Sequence, residues 1–394
     1  MIKNIVKNIT QLLGFSSSSK NDKLQFPDNS MVKTLLVIDD YVPYYDKSSG
    51  SKRLFELLKL FREIGFKVIF FPEDGKATLP YYDDLRNMDI EVLVNTPGVK
   101  NITLLKQRLD TIDYAWISRP ALNYKYQKLL RRNTKTIFDT VDLHYLRMLR
   151  QAENQSDTKL KKKKALKTKK LELGLAVSSN ATIVVTEIEK NILKEEGIQN
   201  VSVIPNVHKT VPILNQVSFK DRKGLLFIGG YKHDPNIDAV KWLINDIMPM
   251  VWSELGDIPV YLLGSDPSEE VLALASEKVI VPGYLNDVSS YFLNSRVFIA
   301  PLRYGAGMKG KIGQSLEFGL PIVSTAIGIE GMNLTDGHNV LSADDSLEFS
   351  RKIVLLYNNE ELWSKINQAA YDSIQSYSPE NVKAQLQELF TAII

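Results

Sequence analysis

From Lys33 onward the chain alternates short apolar runs with amphipathic segments, and this alternation limits the fold more than any other feature. "TLLVID" is an uninterrupted apolar run ending in an acid, the pattern of a buried strand. It is followed by "GSKRLFELLKLFREIGFK", whose apolar residues recur at helical spacing and which Gly65 closes. "KVIFFP", "IEVLVN", "DYAWIS", "TKTIFD", "ATIVVT" and "VSVIPN" continue the series, with helical stretches between them. Strands joined by crossover helices run parallel, so the order predicts doubly wound α/β architecture. Around Pro212 to Lys223 the pattern weakens, then restarts with "GLLFIGG", "IPVYLLG", "KVIVPG", "RVFIAP" and "LPIVST". Two sheets are therefore expected, one over residues 31–215 and one over 216–375. A short amphipathic helix and tether precede them at 1–30, and a C-terminal helix follows at 376–394. Ligands of such sheets bind outside the carboxyl ends of the strands, so the site is expected in the cleft between the domains.

The 394 residues suffice for two cores. A net charge of +3 gives no electrostatic case for a nucleic-acid partner. Cysteine is absent, and the four histidines (His144, His208, His233, His338) are far apart in sequence, so no local metal motif exists. No Asp-x-Asp pair, P-loop or first-turn G-x-G-x-x-G occurs. The expectation is chemistry without a metal or cofactor. Ile2, Ile5, Val6, Ile9, Leu12 and Leu13 recur at helical spacing with Lys3 and Lys7 between them, and eight lysines fall within Lys159–Lys170. The first reads as a membrane-surface anchor, with a helix packed on the body or a frayed end as the alternative; the second reads as a solvated helix face continuing from about Leu143, or as attraction to anionic lipid that reinforces the first. The protein is accordingly expected in the cytoplasm, peripheral on the inner face of the cell membrane.

The stretch "YGAGMKGKIGQSLEFGLPIVST" opens a helix with glycines and places Lys309 and Lys311 in its first turn. Cations there oppose the helix dipole, an arrangement that makes sense when an anion occupies the helix end. Glycine lets backbone N–H groups approach such an anion closely. Gly307 and Met308 belong to the same loop.

These motifs resemble the retaining nucleotide-sugar glycosyltransferases of family 4, which have the two-domain GT-B fold. "LLFIGGYKHDPNIDAVKWL", "VIVPGYLNDVSSYFLNSRVFIAPLRYGAGMKGKIGQSLEFGLPIVSTAIGIEGM" and the hinge "VIPNV" carry the resemblance in the second half. "VIDDYVPYYDKSSGSKRLFELLKLFREIGFKVIFFP" and "FDTVDLHYLR" carry it in the first, which is similar to the acceptor domain of bacterial polysaccharide-building members. The resemblance implies two Rossmann-like domains facing each other across a cleft. The first would bind the acceptor and the second the nucleotide sugar. One departure stands out: where the family has two glutamates eight residues apart, this chain has Ala306 and Gln314.

The resemblance implies sugar transfer from a nucleoside diphosphate sugar to a saccharide or lipid-linked saccharide, with retention, in capsule or O-antigen biosynthesis. Lys309 and Lys311 would stabilise the departing diphosphate, and His144 would contact the transferred sugar or acceptor. Gly50, Gly230, Tyr231, His233, Gln314 and Glu330 would complete the donor site. Ser49, Ser51, Arg53 and Asp142 would join His144 on the acceptor side. Two other readings stay open: a non-catalytic sugar-nucleotide-binding subunit of the same fold, and a sugar-nucleotide epimerase.

Overall fold

The computed structural model describes residues 32–153, 158–211 and 217–393. The expected N-terminal helix and the expected boundary at residue 215 lie outside the described residues. The first sheet contains β1 (Thr34–Asp39), β2 (Lys67–Pro72), β3 (Glu91–Val92), β4 (Tyr114–Ser118), β5 (Lys135–Asp139), β6 (Ala181–Val184) and β7 (Val201–Val203). Its order is β3-β2-β1-β4-β5-β6-β7, and every pairing is parallel. The second contains β8 (Leu225–Ile228), β9 (Val260–Leu263), β10 (Val279–Gly283), β11 (Val297–Ala300), β12 (Ile322–Ser324) and β13 (Leu341–Ser342). Its order is β10-β9-β8-β11-β12-β13, again all parallel. All six residues of β1 are buried, as a strand covered by helices on both faces requires.

Each sheet reverses its winding once, between β1 and β4 in the first and between β8 and β11 in the second. At such a switch point the two crossovers leave on opposite faces and open a crevice at the carboxyl ends. The loops after β1, β4, β8 and β11 therefore position the site.

The helix Ser49–Ile64 follows β1. Ser48 caps it by accepting from the Ser51 amide, and Gly65 closes it at φ 109°. Leu54, Leu57, Leu58 and Phe61, spaced three or four apart, are its buried stripe. The stretch from Leu143 through the lysine run, expected as one helix, is two packed helices, His144–Glu153 and Thr158–Ser178. They are tied where Glu172 of the second accepts from the His144 and Tyr145 amides of the first. The helical stretch after β8, Asp234–Leu255, is likewise interrupted by a wide π turn at Leu243–Ile247. Pro249 follows directly and has no N–H to continue the regular ladder.

The C-terminal helix Pro379–Ala392 is not a separate tail. Its Val382, Leu386, Leu389 and Phe390 share a core with Leu57, Phe61 and Trp116 of the first half. The Phe390 ring lies 4.5 Å from that of Phe66 and 5.3 Å from that of Tyr114. The chain thus crosses to the second half and ends on the first.

Candidate functional site

At the switch point of the second sheet, the helix Gly310–Glu317 begins at Lys309, whose side chain does not cap it. Lys311 Nζ donates to Asn236 Oδ1 at 2.6 Å and lies 4.1 Å from the centre of the Phe227 ring. A Cβ on Gly229 would fall 2.7 Å from Nζ, so only glycine admits the lysine at the end of β8. No carboxylate among the described residues pairs with Lys311. Burial pulls its amine down to about 7. The result is a cation with little compensation at the start of an eight-residue helix.

Lys309 differs. It is buried, donates to the Gly307 carbonyl at 2.9 Å and sits 3.5 Å from Glu330. Burial lowers its pKa while Glu330 pulls the other way. Glu330 is also gripped by both Arg150 nitrogens at 2.6 and 2.7 Å, a bidentate bond from the first half to the second. Burial alone would raise the Glu330 carboxyl, but Arg150 and Lys309 hold it below the usual range. Glu330, expected in the donor site, thus joins Lys309 to Arg150 at the edge of the cleft.

On the first sheet the loop after β5 carries the expected Asp142 and His144. Val141 within it adopts φ 65°, a strained conformation for a β-branched residue. Three groups hold it there. Asp139 accepts from the Val141 amide at 3.1 Å. Buried Glu189 accepts from the Leu143 amide, and buried Glu172 from those of His144 and Tyr145, each at 3.0 Å. Burial pushes Glu189 up to about 7. Protein acids thus already satisfy this helix start. Asp142 lies 3.1 Å from His144 Nε2 and 3.0 Å from Arg147. Burial raises the Asp142 carboxyl, but His144 and Arg147 more than offset it. At the first switch point Arg119, itself at φ 68°, bridges Asp39 at 2.9 Å and Asp40 at 3.1 Å.

Glycines bring the halves together. Cβ atoms on Gly307, Gly310, Gly313 and Gly331 would fall 2.9, 2.0, 2.1 and 2.3 Å from Asp142, Ser49, His208 and Thr186. Lys52 and His208 both bind Glu317, at 3.0 and 2.8 Å. His233 lies within electrostatic range of Asp142, Arg147 and Lys311.

The structure therefore gathers Asp142, His144, His233, Gly307, Lys309, Lys311 and Glu330 in one cleft, with Ser49 against Gly310. Gln314 borders it on the same helix, half-buried, with no partner for its amide among the described residues. Other expected residues lie elsewhere. Arg53 is buried beneath the cleft, bound to Asp139 at 2.7 Å and to the carbonyls of Ile204 and Pro205. Ser51 is a buried partner of the Ser48 cap. Tyr231 belongs to the core of the second half. Nearer the cleft, Gly50 packs against Val141, and the Gly230 carbonyl accepts from the Asn236 side chain that also accepts from Lys311, while Met308 is buried with its sulfur accepting from the Asn206 amide. Sequence reasoning missed Arg119, Arg147, Arg150 and Glu189. Arg119 directly follows β4, whereas Arg147, Arg150 and Glu189 lie on the helices that follow β5 and β6, and no local motif marked them.

Residues 222–359 match the family model described as Glycosyl transferases group 1. A relative from Klebsiella pneumoniae, described as an uncharacterized 44.6 kDa protein in cps region, is 27% identical over 160 residues. That match spans 38% of this chain and 41% of the relative. Among solved structures, S. aureus TarM in complex with fondaparinux, alpha-GlcNAc-glycerol and UDP is similar with a TM-score of 0.59 at 18% identity. That similarity covers 74% of this chain and 59% of TarM. Sucrose-phosphate synthase from Thermosynechococcus elongatus gives 0.67 at 12% identity over 92% of this chain and 99% of its own. Anabaena HepE in complex with UDP and glucose gives 0.66 at 13% identity over 91% and 100%. At these identities the structural likeness establishes the fold: two Rossmann-like domains in the GT-B arrangement.

Proposed function

We propose that this chain transfers a sugar from a nucleoside diphosphate sugar to a saccharide or lipid-linked saccharide, with retention of anomeric configuration. One observation carries the reading: half-buried Lys311 is held by Asn236 with no counter-ion among the described residues, at a helix start cleared by Gly229. A diphosphate supplies the missing charge, and the free amides of that helix supply donors. As the glycosidic bond breaks, charge builds on the leaving diphosphate. A cation held in place for that charge lowers the barrier without reorganising. Lys309, tied to Glu330 and Arg150, shapes the loop around it. His144, held by Asp142, faces the same cleft and is assigned to the transferred sugar or acceptor. The ligands of the similar structures, UDP with glucose for HepE and UDP for TarM, support a nucleotide-sugar donor. The cps-region relative supports capsule-type polysaccharide synthesis.

No metal enters this reading, since lysine and helix amides perform the neutralisation a divalent ion would otherwise supply. The test is a panel of nucleoside diphosphate sugars in excess EDTA, read by thermal stabilisation and then by transfer. At least one donor should raise the Tm by several degrees. No stabilisation by any donor, or activity restored only by manganese or magnesium, overturns the reading.

We also assign the protein to the inner membrane surface. Among the described residues no helix is long and apolar enough to cross a membrane. The helix Thr158–Ser178 carries a run of exposed lysines, Lys159, Lys162, Lys163, Lys164, Lys167 and Lys170 among them, which anionic lipid would attract. Sedimentation with anionic vesicles should show binding that weakens with salt. No binding at low salt removes the assignment.

A further inference from the structure

A groove of about 870 Å³ lies in the first half at the carboxyl ends of its strands. Its walls come from Glu73 after β2, the loop from Asn95 to Lys100 after β3, the helix Asn101–Arg108, and Lys125, Tyr126 and Leu129 after β4. The β3 loop is a built wall. Thr96 and Val99 exchange backbone hydrogen bonds at 2.9 and 3.0 Å, and Asn95 Oδ1 accepts from the Asn101 amide at 2.9 Å. Glu73 accepts from the buried Tyr126 hydroxyl and from Lys125, so its charge is already answered.

Three lysines (Lys100, Lys106, Lys125) and one carboxylate (Glu73) line the groove, a balance of 3 − 1 = +2. Lys100 and Lys106 form no ion pair or side-chain hydrogen bond among the described residues, and both are exposed. Val99, Ile102 and Leu129 supply apolar patches between them. Apolar patches beside fixed cations suit a pyranose chain, which has C–H faces and, when acidic, carboxylates at its edges. The groove adjoins the cleft: Asp40, at the end of β1, lies within electrostatic range of both Glu73 and His144.

The geometry points to this groove as the binding track for an acidic saccharide acceptor, its carboxylates on Lys100 and Lys106 and its reactive end toward His144. The inference rests on the transferase reading above and adds the acceptor class to it. Lipid-linked diphosphates share the anionic chemistry, and the test separates them.

Binding of tetragalacturonate, its full methyl ester and geranyl diphosphate is measured by calorimetry on the whole chain. The acid should bind about tenfold or more tighter than the ester, since charge-assisted bonds are lost with each esterified carboxylate. The Lys100→Gln/Lys106→Gln double variant should abolish that preference. Binding of a nucleoside diphosphate is the control in both proteins. It should be unchanged, which separates failure of this groove from failure of the donor site. Equal binding of acid and ester, a preference that survives the double substitution, or tighter binding of geranyl diphosphate than of the acid overturns the proposal.

Discussion

The two switch points of the molecule treat a cation in opposite ways. In the first sheet Arg119 reaches across from β4 and is answered by Asp39 and Asp40. In the second, Lys311 projects from the helix after β11 to the end of β8 and, among the described residues, meets the amide oxygen of Asn236 and the Phe227 ring but no carboxylate. Both sit at carboxyl ends of parallel strands, so topology alone does not decide which binds an anion. What decides is the local count of charge. A compensated arginine braces the crevice, whereas an uncompensated lysine keeps its capacity for a ligand.

The comparison assumes that the second crevice closes onto the first, and Gly310→Ala attacks that directly. The added methyl meets Ser49 Oγ at 2.0 Å and Ser49 Cβ at 2.6 Å. A misplacement on this scale should cut transfer by about a hundredfold while leaving nucleoside diphosphate affinity intact. Adding Ser49→Gly should restore much of the rate. A single variant with unimpaired turnover would show that closure does not depend on this contact.

Next in size is the contrast between the cations themselves. Lys311→Met should weaken nucleoside diphosphate binding roughly ten- to a hundredfold by calorimetry, the value of one charge-assisted contact. Arg119→Met should leave that affinity alone and lower stability by about 1–3 kcal/mol. The cost stays below that of a fully buried pair because the arginine side chain is 27% exposed. Equal losses of affinity in both variants would erase the distinction.

The smallest expected effect is on pH. Free Lys311 titrates near 7, whereas a bound diphosphate keeps it protonated. Binding above that pH must take up a proton, so affinity should fall as pH rises, by about fivefold between pH 7 and 8. Lys311→Met should flatten this slope. In the free protein the same depression has the opposite sign. The unfolded chain holds a proton that the folded one releases, so stability grows as pH climbs from about 7 toward 10.5.

The strand–helix alternation was legible because it is local: "TLLVID" and the helix after it need no other part of the chain to be read. Lys311 was legible for the same reason, since its glycines and helix lie within a few residues. The division of labour between Lys309 and Lys311 was not, because Glu330 and Arg150 come from loops far along the chain. Arg53 misled for a related reason. It was expected on the acceptor side, but its partner Asp139 lies 86 residues away and draws it inward. The cross-cleft glycine contacts, such as Gly310 on Ser49, leave no sequence pattern.

The docking of the helix Pro379–Ala392 on the first half sets an order of events during synthesis. Val382, Leu386, Leu389 and Phe390 are part of the core built around Phe61 and Trp116, yet they are synthesised after every strand of both sheets. The first half must wait for the rest of the chain, roughly ten to thirty-five seconds at ordinary elongation rates. During that wait the faces of Phe61, Phe66 and Tyr114 that Phe390 covers stay open to water or to chaperones. A nascent chain stalled before residue 379 should therefore display an incomplete first domain, although every strand of that domain has already been made.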